Sequence, residues 1–362
     1  MQTYTIEVVR KLDKKFLKKW EELWQSTADS HFFNSPTWFT ICLRVFNYKD
    51  YYIFVIKKSA KVEAIFPLVV AGHYGVSVLR SPGGKYQDKS TLLTKSNKSK
   101  VITCLIKEIS KYGHYYLSEV SQEISECIDE NDPNYIIRTS SISPYLLLGS
   151  DPFRFLSTKK KNKIRNKYER NKKYLVMKHL NKINTRDLEV VFKIDSKSSK
   201  SRKGKESFSD LRSRVLIKSL LENAGKYLVV DLLYFRKRAV AYTLGFKHKD
   251  RYQGFQMAYV SEFKALIPGK ILIYLLFKKL QQEGVKILDF GRGESEFKLE
   301  FTPYRNIQYD IYYTKNSFVR VWWLIICGIK SFILDNQSIY KIYCRGKEHF
   351  HLVKNFQPAL KI

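Results

Sequence analysis

Apolar residues recur along this chain at two spacings, and the switches between them mark out its elements. Residues 3–9 alternate as a half-buried strand does. Over 13–25, Phe16, Leu17, Trp20, Leu23 and Trp24 fall on one helical face, which predicts a helix packed on a sheet. Asn34-Ser35-Pro36 is a helix start, serine capping and proline opening a helix that carries Trp38, Phe39, Ile41, Cys42 and Val45. Two strands, 51–57 and 60–70, meet at a tight turn on Lys58-Ser59, and a third covers 75–79. A glycine-rich loop over 80–88 leads to an amphipathic helix over 100–112, stopped by Gly113, and then a strand over 114–120. Two short apolar runs, 135–139 and 145–148, finish this half.

The second half repeats that order. Strands are expected over 226–235 and 239–247, around Arg236-Lys237-Arg238, and over 251–259 after a turn at Lys249-Asp250. Pro268-Gly269 opens a helix over 270–283 whose Ile271, Leu272, Leu275, Leu276 and Leu280 share a face, and Gly284 closes it. A short buried strand follows over 285–290, broken by Gly291-Arg292-Gly293. With Gly113 laid on Gly284 the two helices align, Val101 with Leu272, Leu105 with Leu276 and Ile109 with Leu280. Strand, strand, strand, helix, strand therefore occurs twice, and a repeat alters the expected fold more than any local motif. Beyond it, 307–314 is a further strand, 318–334 a helix taken as packed in the core, with an interfacial helix holding its tryptophans at headgroup level the alternative for 321–329, and 340–362 a tail.

Composition adds charge to this outline. The chain has 362 residues, 44% of them hydrophobic, enough for two domains with a large core. Its 65 Lys+Arg against 34 Asp+Glu give a formal net charge of +31, a field that draws phosphates, nucleic acid or an anionic membrane surface. The excess is concentrated in 157–173, STKKKNKIRNKYERNKK, whose spacing suits a solvated helix between the halves, and in the serine-rich 197–205, which has loop composition. Five widely spaced cysteines with no C-x-x-C pair argue against a disulfide framework or zinc site and suit a reducing cytoplasm, and the seven histidines show no metal spacing. The start of the chain lacks the apolar core of a signal peptide, and VWWLIICGI over 321–329 falls short of the ~20 residues a span needs. A nucleic-acid-binding role would rest on the lysine-rich helix alone, because no zinc finger or aromatic RNA-binding sequence accompanies it.

The segment 289–301, DFGRGESEFKLEF, resembles the D-F-x-x-G-x-x-x-[YF]-K-x-x-F pattern of GNAT-superfamily acetyltransferases of cellulose and exopolysaccharide synthesis, the CelD/BcsL type, which are related to the FemABX peptidyltransferases. FNSPTWF at 33–39 resembles that family's early helix start, Arg80 with Asp88 its first-half R…D loop, and the basic helix its linker. The resemblance implies an α+β fold of two tandem GNAT-like domains with mixed sheets flanked by helices. The corresponding division is 1–150, a basic linking helix over 151–175, a second domain over 176–316, and a terminal helix and tail over 317–362. It also implies an N- or O-acyltransferase that moves an acyl group, acetyl first among the choices, from acyl-CoA to an amine or hydroxyl of a sugar or cell-envelope polysaccharide precursor. The alternative is a FemABX-like peptidyltransferase carrying an amino acid from aminoacyl-tRNA to a peptidoglycan precursor. The basic linker favours it, and so does KALIPG at 264–269, which keeps one glycine of the phosphate loop.

On this resemblance Lys298 stands at the cleft to stabilise an oxyanion or bind the acceptor, and Asp289 ends the buried strand as a base or an orienting group. The donor would meet Pro268, Gly269, Lys270 and Ile271 at the helix start, where free N–H groups and the dipole favour a pyrophosphate. Arg80, Asp88, Arg292 and Glu296 would hold the acceptor. No metal is expected. The location is expected to be cytoplasmic, with peripheral contact at an anionic inner membrane.

Overall fold

The computed structural model describes residues 4–95, 98–149, 151–202, 208 and 210–336, apart from the side chains of 201, 202, 334 and 335. The expected tail at 340–362 and the end of the 197–205 stretch lie outside the described residues.

The first half opens with β1 (Tyr4–Val9), α1 (Lys14–Ser26) and α2 (Pro36–Val45). The carboxylate of Asp13 accepts the Phe16 N–H, and the Ser35 hydroxyl accepts that of Trp38, so both helices start on side-chain caps. An antiparallel meander follows, β2 (Tyr51–Lys58), β3 (Lys61–His73) and β4 (Val76–Arg80), with the two-residue β5 (Leu93–Thr94) on β3. Helix α3 (Lys98–Ile109) crosses back to β6 (Tyr115–Ser121), which runs parallel to β4. A single turn, α4 (Gln122–Ser125), precedes β7 (Tyr135–Leu147). The two short runs expected at 135–139 and 145–148 are one long strand. Its polar middle, Ser140, Ser141 and Ser143, hides the continuity because it faces buried partners at the site.

The basic segment forms α5 (Thr158–Asn171), with Ile164 its one buried residue. Next come β8 (Leu175–Leu180), α6 (Thr185–Ser196), the short α7 (Ser199–Arg202) and α8 (Leu211–Ala224). The meander β9 (Leu228–Phe235), β10 (Arg238–His248) and β11 (Arg251–Tyr259) leads to α9 (Pro268–Gln282) and to β12 (Ile287–Asp289), parallel to β11. The turn α10 (Glu296–Leu299), β13 (Arg305–Tyr313) and α11 (Ser317–Asp335) complete the described chain. Sequence spacing did not single out β8, α6 or α8, and it assigned 199–202 to a loop. In α8, Leu216, Ile217 and Leu220 are buried while Leu211 and Val215 are exposed, so its apolar stripe is blurred.

Both halves thus run strand, helices, three-stranded meander, helix, parallel strand. They join in one sheet of order β1-β2-β3-β4-β6-β13-β7-β12-β11-β10-β9-β8. The order reads alike from either end because the halves exchange their last strands. β7 pairs with β12 of the second half, and β13 pairs with β6 of the first. The core crosses the junction too. Trp24 stacks on His248 at 3.7 Å between centroids, and Phe32 on Phe246 at 4.2 Å, so α1 and the turn that leads into α2 are seated on β10 of the second half. The register places the carboxyl end of β12 beside the loop that follows β4.

Candidate active site

Parallel strands β11 and β12 pair only over Arg251↔Ile287, Tyr252↔Leu288 and Gln253↔Asp289. β12 then stops, because Gly291 (φ +73°) and Gly293 (φ +95°) turn the chain through conformations that a side chain resists. β11 runs on to Tyr259 past the end of this pairing, and its far edge is met by Lys200 at the Met257 carbonyl and by a bridge from Ser198 to Val260. Val260 donates to Val240 on β10, so by the antiparallel alternation Met257 and Tyr259 direct their main-chain groups into the gap. A bulge at Phe255, between the pairs Leu244↔Gln256 and Gly245↔Gly254, widens the opening. The strands can approach at its base because Gly254 has no side chain: a Cβ there would lie 3.2 Å from the Asp289 carbonyl oxygen.

The gap continues into a cavity of about 310 Å³, whose apolar wall includes Leu244, Ile273, Leu276 and Leu288 and whose polar rim includes Asp88, Asp289, Arg292, Lys298 and Lys200. A smaller cavity of about 110 Å³, between the 85–88 loop and α8, shares Asp88, Phe255, Gln256 and Arg292 with it. Two adjoining chambers that share these four residues suit a reaction with a donor and an acceptor.

The polar groups interlock. The buried Asp289 carboxylate accepts the Ser143 hydroxyl at 2.9 Å, the Gly291 N–H at 2.8 Å and the ammonium of Lys89. Burial pushes its pKa up, but Lys89, the Gly291 N–H and Ser143 outweigh that and hold it below the ordinary carboxylate value. Asp88 behaves oppositely: burial raises its pKa to about 6, against the pull of Arg292, whose N–H reaches Oδ2 at 3.3 Å, and of Lys298. Lys298 directs its ammonium to the carbonyls of Gly291 (2.9 Å) and Arg292 (2.8 Å), and burial lowers its pKa to about 8 while Asp88 and Asp289 oppose the change. Arg292 also binds Glu119 at 3.1 Å and the carbonyl of Lys85. Glu119 is itself buried, accepts the hydroxyls of Ser140 and Ser141, and stands at φ +54°, a left-handed conformation for a residue with a Cβ.

Of the residues singled out from the sequence, Asp88, Asp289, Arg292 and Lys298 come together at this cavity. Arg80 does not. Its guanidinium donates to the Gly72 carbonyl and lies over the Tyr116 ring. Glu296 is exposed in the first turn of α10, outside the cavity lining. Pro268, Gly269 and Ile271 are buried at the start of α9. The N–H groups of Lys270 and Ile271 both turn back to the Ile267 carbonyl, and the Lys270 ammonium pairs with Glu300, which Lys160 of α5 also reaches at 3.3 Å. Two N–H groups of that entrance are therefore taken by the chain's own carbonyl, and its lysine by a carboxylate. Lys89, Ser143, Glu119 and Lys200 escaped sequence reasoning. Lys200 donates to the Met257 carbonyl in the gap at 3.0 Å, and only folding brings it there. Among the described residues no group of three or more His, Cys, Asp and Glu side chains could hold a metal ion.

Residues 158–299, from α5 through α10, match the acetyltransferase (GNAT) domain family model. No curated protein matches the chain by sequence. Among solved structures, FemX superposes with a TM-score of 0.64 at 10% identity, covering 86% of this chain and 98% of its own. L-PGS from Bacillus licheniformis gives 0.56 at 14% identity over 86% of this chain and 96% of its own. The C-terminal domain of a putative lysylphosphatidylglycerol synthetase from Agrobacterium fabrum gives 0.56 at 10% identity, over 87% and 96%. At these identities the likeness concerns the fold. The parted parallel strands, the doubled meander and the domain match together make this a GNAT-fold chain, built as two exchanged GNAT-like halves.

Proposed function

We propose that this chain is an acyltransferase that moves an acyl group from acyl-CoA to an amine or hydroxyl of a sugar or other cell-envelope precursor, and that it works in the cytoplasm. The observation that carries this reading is the gap between β11 and β12, floored by apolar side chains and rimmed by two groups with oppositely displaced pKa values. The thioester carbonyl lies in the gap, where the outward N–H groups of Met257 and Tyr259 face it as oxyanion donors. The acceptor enters from the Asp88 side. Its nitrogen or oxygen bonds to the carbonyl carbon and gives its proton to Asp88, which is ionised at neutral pH yet basic enough to take it. The carbon–sulfur bond then breaks. The departing thiolate takes a proton from Lys298, whose pKa of about 8 lies near that of an ordinary thiol, roughly 8.5. Two of the three ammonium donors are spent on the carbonyls of Gly291 and Arg292, which leaves one for this step. Asp289, held ionised by Lys89, positions Gly291 and thereby the turn that carries Arg292.

The test is release of free coenzyme A from acetyl-CoA with sugar-nucleotide amines as acceptors. Turnover that requires both substrates supports the reading, and failure of any acyl-CoA to bind by calorimetry sinks it.

One observation favours a second reading, a FemABX-like transferase that uses aminoacyl-tRNA on a peptidoglycan precursor. The entrance of α9 is taken up by Glu300, Lys270 and Lys160, so a pyrophosphate there would meet a carboxylate. An aminoacyl ester needs no such cradle. Transfer of a labelled amino acid to a lipid-linked muropeptide, with no use of acetyl-CoA, would decide for it.

A further inference from the structure

Helix α11 lies across the sheet face formed by β4, β6, β13 and β7, with Trp323 and Cys327 buried against Val78, Tyr116 and Tyr312. Spacing alone suggested a core helix for this segment, and its inward side is one. Its outward side is a correction to that expectation. Phe318 is 89% exposed, Phe332 62%, Ile329 54% and Ile325 50%, and Val321 and Trp322 are exposed beside them. At about 100° per residue these six side chains fall within an arc of about 100°, and no charged or polar residue shares it. Lys330 lies off the arc and Lys315 precedes the helix, while the half-buried Arg320 turns to the inward side with Trp323 and Cys327. A continuous apolar stripe on a helix otherwise anchored by Trp323 and by the Arg138–Ser331 hydrogen bond is a surface made for contact. Among the described residues no helix is long and apolar enough to cross a membrane, so α11 is placed to lie in an interface and not to span it.

We propose that the outward face of α11 docks the protein on an anionic bilayer, with Phe318, Val321, Trp322, Ile325, Ile329 and Phe332 at acyl-chain level. Charge selects this occupant. The chain carries a formal net charge of +31, which repels a second copy and attracts acidic headgroups. The 26 residues after Asn336 add five Lys/Arg against one acid, next to the apolar stripe in sequence. Apolar insertion with flanking cations is the two-signal arrangement that holds a peripheral protein on a membrane. The proposal does not depend on the acyl-transfer reading, since none of the stripe residues lines the candidate site and docking needs no substrate.

The experiment is flotation of the full-length chain with vesicles of phosphatidylcholine alone and of phosphatidylcholine with phosphatidylglycerol. Binding is expected to the anionic vesicles, weakened by salt. Ile325→Glu with Ile329→Glu should weaken it more than about a hundredfold with unchanged thermal melting, and Trp322→Ala about tenfold with a small loss of stability, because its indole N–H also donates to the Tyr74 carbonyl at 2.9 Å. Equal binding of the double variant, or no preference for anionic vesicles, overturns the proposal. So does a dimer in light scattering that Ile325→Glu dissociates, because a second copy would then be the occupant. Binding that appears only after removal of residues 337–362 overturns it as well, because the chain's own tail would then cover the face.

Discussion

Asp88→Asn separates a catalytic carboxylate from a structural one, because the two roles move stability in opposite directions. The folded chain keeps the Asp88 proton up to about pH 6, whereas an unfolded chain releases it near 4. Between those values the folded state binds the extra proton, so stability falls as pH rises through the window and the loss is complete above it. The displacement from 3.8 to about 6 corresponds to a cost of up to about 3 kcal/mol at neutral pH. Asparagine keeps the size of the side chain and can accept the Arg292 N–H, but it carries no charge to bury. The variant should therefore be more stable than the parent by about 1–3 kcal/mol in urea unfolding at pH 7.5, and that gain should vanish below pH 4. As the proton acceptor is lost, coenzyme A release should slow by about 10²- to 10⁴-fold, and the acid limb of the parent's kcat/KM profile near pH 6 should disappear. An Asp88→Asn protein that is less stable at pH 7.5 and retains its rate would refute the argument, for Asp88 would then be a structural partner of Arg292.

Three further outcomes follow from the same geometry. Lys298→Met should remove the alkaline limb near pH 8 and slow transfer by about a hundredfold, and Lys298→Arg should not restore it, since a guanidinium does not give up its proton; a pH–rate series reads both. Gly291→Ala forces a Cβ to within 2.5 Å of the Gly254 carbonyl oxygen at a φ of +73°, and this should cost at least about 2 kcal/mol in urea unfolding, with a matching loss of rate. Lys89→Met leaves the Asp289 carboxylate buried without its cation, which should cost about 3–5 kcal/mol at neutral pH. Asp289 is depressed in the folded chain, so it contributes stability above its unfolded pKa that is lost as pH falls through the folded value. In Lys89→Met that acid sensitivity should shift to higher pH, as thermal melts across pH 3–7 would record.

The sequence by itself determined the local elements and their repetition. Period-2 runs gave the two meanders, the caps at Ser35 and the Pro268 entrance set helix starts, and the glycines at 113 and 284 matched the crossover helices. It also exposed half of the site, because Asp289, Arg292 and Lys298 lie within ten residues of one another around Gly291. Tertiary structure decided the rest. No local spacing states that β7 and β13 change places, since strand exchange depends on which edges are free once both halves have folded. Asp88, Lys89 and Glu119 reach the site only through that exchange, from 170 to 204 positions away in the chain: Arg292 meets Glu119 across 173 residues and Asp88 across 204. The outward stripe of α11 was equally hidden, because an apolar helix reads the same whether its second face meets a sheet or is left uncovered. Periodicity reports which residues share a face, and burial and partner are set only when distant segments arrive.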